Sequence, residues 1–348
     1  MRVKLGFVGI GAMGLSHLKA FQERFPAESE IVAVCSSSPA RIAQALSIEP
    51  QARVFSEARD LIQSDLDAVV VSAPNFLHCP LALEVLAAGR HLYLEKPAGI
   101  TRAECSSLLD AASRTDRVAL LGHQLRYSRY FQHIHHLVHS GEIGRPRMVW
   151  TREWRGPFQK KSRDWIQDKT RSGGALVDKN CHHFDLMNSW AGSRPQRVSA
   201  FGGRAADSIP GISTPGLDHA TVSFEYENGV LGTLQLCLFA RDFPGEDLEM
   251  GVIGDEGMLQ TRLSSMEILQ WYRGSAGSAP SVVHKPDCQS GAGWGGHLGF
   301  HEIHEAFLRA IRENHPPLTT ISASVDGTLL AIAAEESAEG SNHSLVRF

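Results

Sequence analysis

The sequence predicts two domains of different class. Residues 1–122 read as a doubly wound α/β domain on a parallel sheet. Residues 123–348 read as an α+β domain on a large, mostly antiparallel open sheet. Three observations carry this. Short apolar runs alternate with helical patterns through the first third of the chain. Beyond residue 123 the runs lengthen and alternate in polarity, and Asn228-Gly229 joins two of them as a hairpin. The length, 348 residues, also exceeds that of one ordinary domain.

In order, Val3–Ile10 is a buried strand that runs into Gly9-Ile10-Gly11-Ala12-Met13-Gly14. A helical pattern follows with Leu15, Leu18 and Phe21 on one side, then a second strand, Ile31–Cys35. This places G-x-G-x-x-G between strand and helix, as a Rossmann dinucleotide site requires. Gly9 permits the tight turn, Gly11 lets backbone approach a pyrophosphate, and Gly14 lets helix and strand close together. The second strand ends in Ser36, Ser37 and Ser38, with Arg41 close behind, rather than in a carboxylate. Nothing there repels a 2′-phosphate, so the cofactor is NADP or NAD with a lean towards NADP. Arg41 facing solvent on the next helix is the plainer alternative.

The alternation continues with strands at Ala68–Ser72, His91–Glu95 and Val118–Gly122 and helices at Leu81–Ala88 and Arg102–Ser113. Ligands bind beyond the carboxyl ends of such strands. The informative residues are therefore Pro74, Asn75 and His78, then Glu95, Lys96 and Pro97, then His123 and Gln124. After a helix at Tyr130–His139, strands are expected at Met148–Trp154, Val198–Gly203, His219–Tyr226 and Val230–Phe239. Leu248–Ile253 and Gly257–Thr261 form a second hairpin about Asp255-Glu256. Ser275–Ser290 reads as a surface loop, and helices at His301–Glu313 and Ser324–Ala338 close the chain.

Composition bounds the function. Hydrophobic residues make up 43% and charged residues 21%, as in a globular enzyme with a full core. A net charge of −4 gives no footprint for nucleic acid or an anionic membrane, and no apolar run is long enough to span one. The start, MRVKLGFVGIGAMG, reads as strand and turn rather than as a signal peptide. Six scattered cysteines without a CxxC pair suit a reducing, cytoplasmic compartment and no zinc site. His133, His135, His136 and His139 share helical spacing with no carboxylate among them, so a solvated face is expected and no metal.

Gly173–Asp185, GGALVDKNCHHFD, is the candidate for chemistry. In a helix, Asp178, His182 and Asp185 share one stripe. A carboxylate beside an imidazole can move a proton near neutral pH. On these residues alone, a capping aspartate with a histidine packed behind it is the favoured explanation.

GIGAMG at 9–14, APNFLH at 73–78, AAGRHLYLEKP at 87–97, SGEIGRP at 140–146, SGGALVD at 172–178 and H-x-x-D at 182–185 turn the balance. Over nearly its full length the chain resembles the glucose-fructose oxidoreductase/inositol dehydrogenase/MocA family. The resemblance implies a nicotinamide-dependent oxidoreductase of sugars, inositols or related polyols, built as a homodimer or homotetramer through the second domain's open sheet. By position it implies Lys96, Asp178 and His182 as the catalytic set. The glycine turn and residues 36–41 would hold the dinucleotide, and Pro74, Asn75, His78 and Glu95 would line its cleft. A cis Lys96-Pro97 bond is also implied. The chain departs from many relatives in having Ser36 where they carry an acid and Lys179 where they carry a small residue.

Hydride transfer from an alcohol carbon requires the hydroxyl proton to leave as well. His182 is assigned as general acid/base, with Asp178 orienting it and Lys96 stabilising charge on the reacting oxygen. Both side chains must then converge on that oxygen. Arg126, Trp154 and Trp165 are candidate substrate contacts, with core packing equally open for the tryptophans. Ten Lys or Arg stand against four Asp or Glu from Arg145 to Lys179, which suggests either an anionic substrate or, more plainly, a solvated basic loop. His297 is a further candidate. Two rival readings use the same parts: a redox-neutral enzyme working through a transient keto-sugar, with glycoside cleavage or epimerisation, and a non-catalytic dinucleotide sensor.

Overall fold

The computed structural model describes residues 2–157, 162–205, 216–240, 246–275, 277, 279–288, 297–340 and 346–347. The chain forms two compact units, Met1–Tyr127 with Ser290–Val325 and Ser128–Gln289 with Asp326–Phe348.

The first unit contains β1 (Val3–Val8), α1 (Ala12–Arg24), β2 (Ser29–Cys35), α2 (Pro39–Ile48), β3 (Arg53–Phe55), α3 (Ala58–Gln63), β4 (Ala68–Val71), α4 (His78–Ala87), β5 (His91–Leu94), α5 (Arg102–Ser113) and β6 (Ala119–Leu121). Its six strands pair in parallel in the order β3-β2-β1-β4-β5-β6. Strands covered by helices on both faces need apolar residues throughout, and all four residues of β4 (AVVV) are buried. Thr101 and Glu104 close a capping box that starts α5. The expected doubly wound domain is therefore present.

A helix over Phe300–Glu313 returns to this unit, and its stripe of Ile303, Ala306, Phe307 and Ala310 joins the core of Phe7, Leu18, Phe21 and Tyr93. The expectation of one uninterrupted second domain over 123–348 therefore differs from the observed division, which returns residues 290–325 to the first unit. An amphipathic stripe shows that a helix is half-buried but not which core receives it.

The second unit comprises α6 (Arg129–His139), β7 (Pro146–Arg155), α7 (Lys169–Ser172), α8 (Cys181–Ala191), β8 (Pro195–Gly203), β9 (His219–Tyr226), β10 (Leu231–Cys237), β11 (Glu246–Gly254), β12 (Gly257–Arg262), β13 (Glu267–Tyr272), β14 (Val282–His284) and β15 (Val346–Arg347). The returning helix is α9, and α10 (Ile321–Glu339) runs across the point of division. Nine strands form one sheet, β14-β13-β12-β11-β7-β10-β9-β8-β15, in which only the β7–β10 pair is parallel. The hairpin at Asn228-Gly229 is present, with Gly229 at φ +82. The expected loop at 275–290 instead carries β14, paired to Ile268–Gln270, and residues 276, 278, 289 and 290 of it lie outside the described residues.

Strand alternation gives the sheet two different faces. On β9, Ala220, Val222, Phe224 and Tyr226 are buried, while His219, Thr221 and Ser223 are exposed. The same register leaves Met148, Leu231 and Phe201 exposed on the second face.

Candidate active site

The glycine turn follows β1. Gly9 sits at φ +90, where a Cβ would lie 2.5 Å from the Ala73 nitrogen. A Cβ on Gly14 would collide with the Gly9 carbonyl oxygen, which also accepts from Ser72 Oγ at 2.7 Å. Both glycines are thus required by close backbone approach. Gly11 differs: a Cβ there meets nothing within 4 Å. It N-caps α1 without a side-chain cap, and no acidic residue stands in the first turn. An uncapped helix start beside open space fits a dinucleotide pyrophosphate. Ile10 is buried beneath the turn, while Ala12 is exposed and Met13 half-buried.

The strand ends arrange the other candidates. After β2, Ser38 caps α2 by accepting from the Arg41 N–H, and Ser36 accepts from the Ser38 N–H at 3.3 Å. Ser37 is exposed, and the Arg41 guanidinium donates to Gln44 at 2.9 Å. After β4, Pro74 is half-buried and Asn75 buried. His78 is buried with Nδ1 and Nε2 each 2.8 Å from a carbonyl, of Pro97 and Ala73 respectively. It clasps two strand ends rather than lining open space. After β5, Glu95 is buried against His17, Lys96 is half-buried, and the Lys96-Pro97 bond is cis. Gln124 is buried and Arg126 half-buried in the 3₁₀ turn Gln124–Tyr127.

In the second unit the expected α-helix over 173–185 starts differently. Gly173 and Gly174 have φ +87 and +102, Leu176–Asn180 form a π-helical turn, and only then does α8 begin. Asp178 lies in the π turn and His182 in the first turn of α8, at 6% and 8% exposure. A π turn widens the helix by one residue and is frequent where side chains must be re-aimed. Asp185 is buried too. Gly327 on α10 lets the two helices close, since a Cβ there would be 2.9 Å from that of Asp185.

Two buried carboxylates support this turn, and neither was among the expected site residues. Glu153, on the packed face of β7, accepts from Asn180 Nδ2 at 2.7 Å and pairs with Lys179 at 3.5 Å and His183 at 3.3 Å. A charged residue at an inward strand position was its sequence signal. Glu335 on α10 accepts from the Leu176 N–H at 2.8 Å, and a Cβ on Gly174 would collide with its carboxyl. Burial pushes Glu335 from the ordinary 4.5 up to about 7, against the hydrogen bond from Leu176 and the charge of Lys169. A carboxyl raised in the folded state favours folding below its unfolded value, and that contribution fades as pH rises through about 7. Glu335→Gln keeps an oxygen for Leu176 and removes the titration. Its thermal midpoint should exceed the parent's at about pH 8.5, by the equivalent of up to about 3 kcal/mol, and match it only at about pH 4, below the unfolded value.

The remaining candidates separate. Even-numbered β7 residues point away from Glu153, so Trp154 lies on the open sheet face, its ring 4.4 Å from the Arg152 guanidinium. It is not on the face that receives α8, because sheet alternation opposes it to Glu153. Trp165 is half-buried in the 3₁₀ segment Ser162–Gln167, and His297 is exposed. Much of the basic stretch is matched by carboxylates: Arg147 by Asp255, Arg152 by Glu249, Arg155 and Lys179 by Glu153, and Lys169 by Glu339. That favours the plainer of its two readings. Among the described residues no cluster of three His, Cys, Asp or Glu could hold a metal ion, and no helix is long and apolar enough to cross a membrane.

A glycine turn at the carboxyl edge of a parallel sheet, followed by an uncapped helix, defines a Rossmann-type dinucleotide-binding domain. The chain belongs to the GFO/IDH/MocA oxidoreductase family. Residues 3–123 match its NAD-binding Rossmann-fold model and residues 131–260 its C-terminal domain model. It is accordingly a dehydrogenase or reductase acting on CH–OH groups. The chain is 26% identical to inositol 2-dehydrogenase of Salmonella typhimurium over 75% of its own length and 74% of that protein. It is 30% identical to a glycosyl hydrolase family 109 protein of a Shewanella species, over 41% of this chain and 33% of that one. The fold is shared with levoglucosan dehydrogenase in complex with NADH, at a TM-score of 0.85 and 21% identity, covering 100% of this chain and 99% of the other.

Proposed function

We propose that the chain transfers a hydride between NADP, or NAD, and a ring hydroxyl of a sugar, inositol or related polyol, with Lys96 and His182 serving the reacting oxygen. The observation that carries this is the burial of an imidazole and a carboxylate, His182 and Asp178, where a π turn meets α8. Such a pair is costly to bury and is retained where a proton must move. His182 takes the hydroxyl proton, and Asp178 orients the ring and favours its charged form. Lys96 donates to the oxygen as negative charge develops. When bound, the nicotinamide supplies the hydride acceptor or donor. The inositol and levoglucosan dehydrogenase likenesses support the substrate class. Arg126 and Trp165 remain candidate substrate contacts; Trp154 does not. Initial rates over a panel of sugars, inositols and glycosides test the reading, and no turnover with any polyol would sink it.

The NADP preference rests on Ser36, Ser38 and Arg41 at the end of β2, where hydroxyls and a guanidinium suit a 2′-phosphate. NADP should be preferred over NAD in kcat/KM, and Arg41→Ala should cost about tenfold with NADP and little with NAD. Equal rates with both cofactors would remove the preference. A redox-neutral reaction is the second reading, and the partial match to the glycosyl hydrolase family 109 protein is what supports it. Turnover without net change in nicotinamide absorbance would identify it. We further take the protein to be a cytoplasmic homodimer or homotetramer. The exposed Met148, Leu231 and Phe201 on the open sheet support the assembly, and sedimentation tests it.

A further inference from the structure

The residues around Asp178 and His182 fall on two stripes. Counted in helical steps of about 100°, Asp178 and His182 share one side of the segment, and Lys179, Asn180 and His183 share the other. All three of the second set meet one carboxylate. Glu153, on β7 and at 0% exposure, accepts from Asn180 Nδ2 at 2.7 Å through Oε2, and His183 Nδ1 lies 3.3 Å from the same oxygen. Its Oε1 faces the Lys179 ammonium at 3.5 Å and the Arg155 guanidinium at 3.7 Å.

These contacts straddle a change of helix. Lys179 and Asn180 belong to the π turn Leu176–Asn180, and His183 belongs to the first turn of α8. Asp178 and His182 stand on the same two sides of that junction. A π turn holds one residue more than an α turn. Its collapse to α geometry would rotate Asp178 against His182 by one residue, about 100°.

We propose that Glu153 is a positioning residue: by binding both sides of the π/α junction on the stripe opposite Asp178 and His182, it keeps those two side chains in one register. The effect on turnover rests on the catalytic reading of Asp178 and His182; the tie across the junction does not.

The parts of the contact differ in what they do. An amide nitrogen only donates and a carboxylate oxygen only accepts, so the Asn180 bond is directional and fixes where the π turn ends. Lys179 and Arg155 stand beyond ordinary hydrogen-bond length. Their role is to balance the charge of a carboxylate removed from water. Glu335 holds the start of the same turn at the Leu176 N–H, so the two carboxylates take its opposite ends. The register therefore depends on the oxygen that Asn180 reaches more than on the charge behind it.

Two double variants of the full-length protein test this. Glu153→Gln with Lys179→Met removes both charges and keeps an oxygen for Asn180. Glu153→Leu with Lys179→Met removes the oxygen as well. With a polyol that the parent turns over, the glutamine double should keep kcat within about threefold of the parent, and the leucine double should lose about 100-fold. Dinucleotide affinity should stay within about threefold in both, because the glycine turn lies in the first unit. Asn180→Ala removes the donor instead and should lose kcat as the leucine double does, which keeps the test decisive if that double does not fold. A carboxylate that only stabilised the fold would lower the thermal midpoint and leave kcat of the folded protein alone. Parent-like kcat in the leucine double or in Asn180→Ala, measured well below their melting, would therefore overturn the positioning role. Equal losses in the two doubles would overturn it too. Hydrogen exchange of the amides from Leu176 to His183 should quicken in the leucine double and not in the glutamine double; equal exchange would overturn the tie. Undiminished turnover in His182→Ala would instead discredit the catalytic reading, with the exchange result still deciding the tie.

Discussion

Replacing Lys96 with methionine is expected to lower kcat by about 10²–10⁴-fold while dinucleotide binding stays within a factor of about three. Methionine keeps the unbranched stem and removes only the ammonium. Glu95 keeps its partner His17 at 2.9 Å, so no buried carboxylate is orphaned and the fold should persist. A donor aimed at a developing oxyanion accounts for about 10²–10³ in rate by itself, and a share in proton transfer adds to that. His182→Ala should fall as far, because it removes the base. Asp178→Asn should fall less, because it removes only the group that orients that base. Steady-state kinetics with a polyol that the parent turns over, alongside dinucleotide titration by fluorescence, provides the check. Parent-like turnover in Lys96→Met or His182→Ala would remove that residue from the chemistry.

Two alanine substitutions in the glycine turn should part in their effects. Gly14→Ala sets a methyl group against the Gly9 carbonyl, so α1 must move off β1. Overpacking against backbone costs about 1–3 kcal/mol or more, visible as a lowered thermal midpoint without any ligand. Gly11→Ala projects into open space at φ −76 and strains nothing. Its stability should stay within about 0.5 kcal/mol of the parent, while dinucleotide affinity drops by about tenfold or more. Thermal melts with and without NADP separate the two. Equal affinity in Gly11→Ala and the parent would mean that the pyrophosphate does not sit over that glycine.

The parts of the site that were legible in the sequence owe this to backbone demands only certain residues meet. Gly9 at φ +90 and Gly14 under a carbonyl admit no side chain, so spacing alone disclosed the turn. Uniformly apolar β4 and alternating β9 disclosed a covered sheet and a half-open one. The π turn at Leu176–Asn180 was not legible, because one extra residue per turn leaves no mark on an apolar pattern. Glu335 and His304 were hidden for a different reason. A buried ionisable group is explained by its partners, and theirs, the Leu176 N–H and His17, lie 159 and 287 residues away. The sheet face that Trp154 takes was not legible either, because it depends on where α8 docks.

The return of α9 to the first core also bears on how the chain is made. A ribosome that has released β1 through β6 has not yet supplied Ile303, Phe307 or His304. Until synthesis passes residue 313, the nascent first half presents an unfilled apolar seat beside Phe21 and Tyr93 and leaves His17 without its partner His304. Vectorial, one-domain-at-a-time maturation is therefore closed to this protein, and a fragment ending at Tyr127 should expose sticky surface rather than fold as a portable nucleotide-binding module.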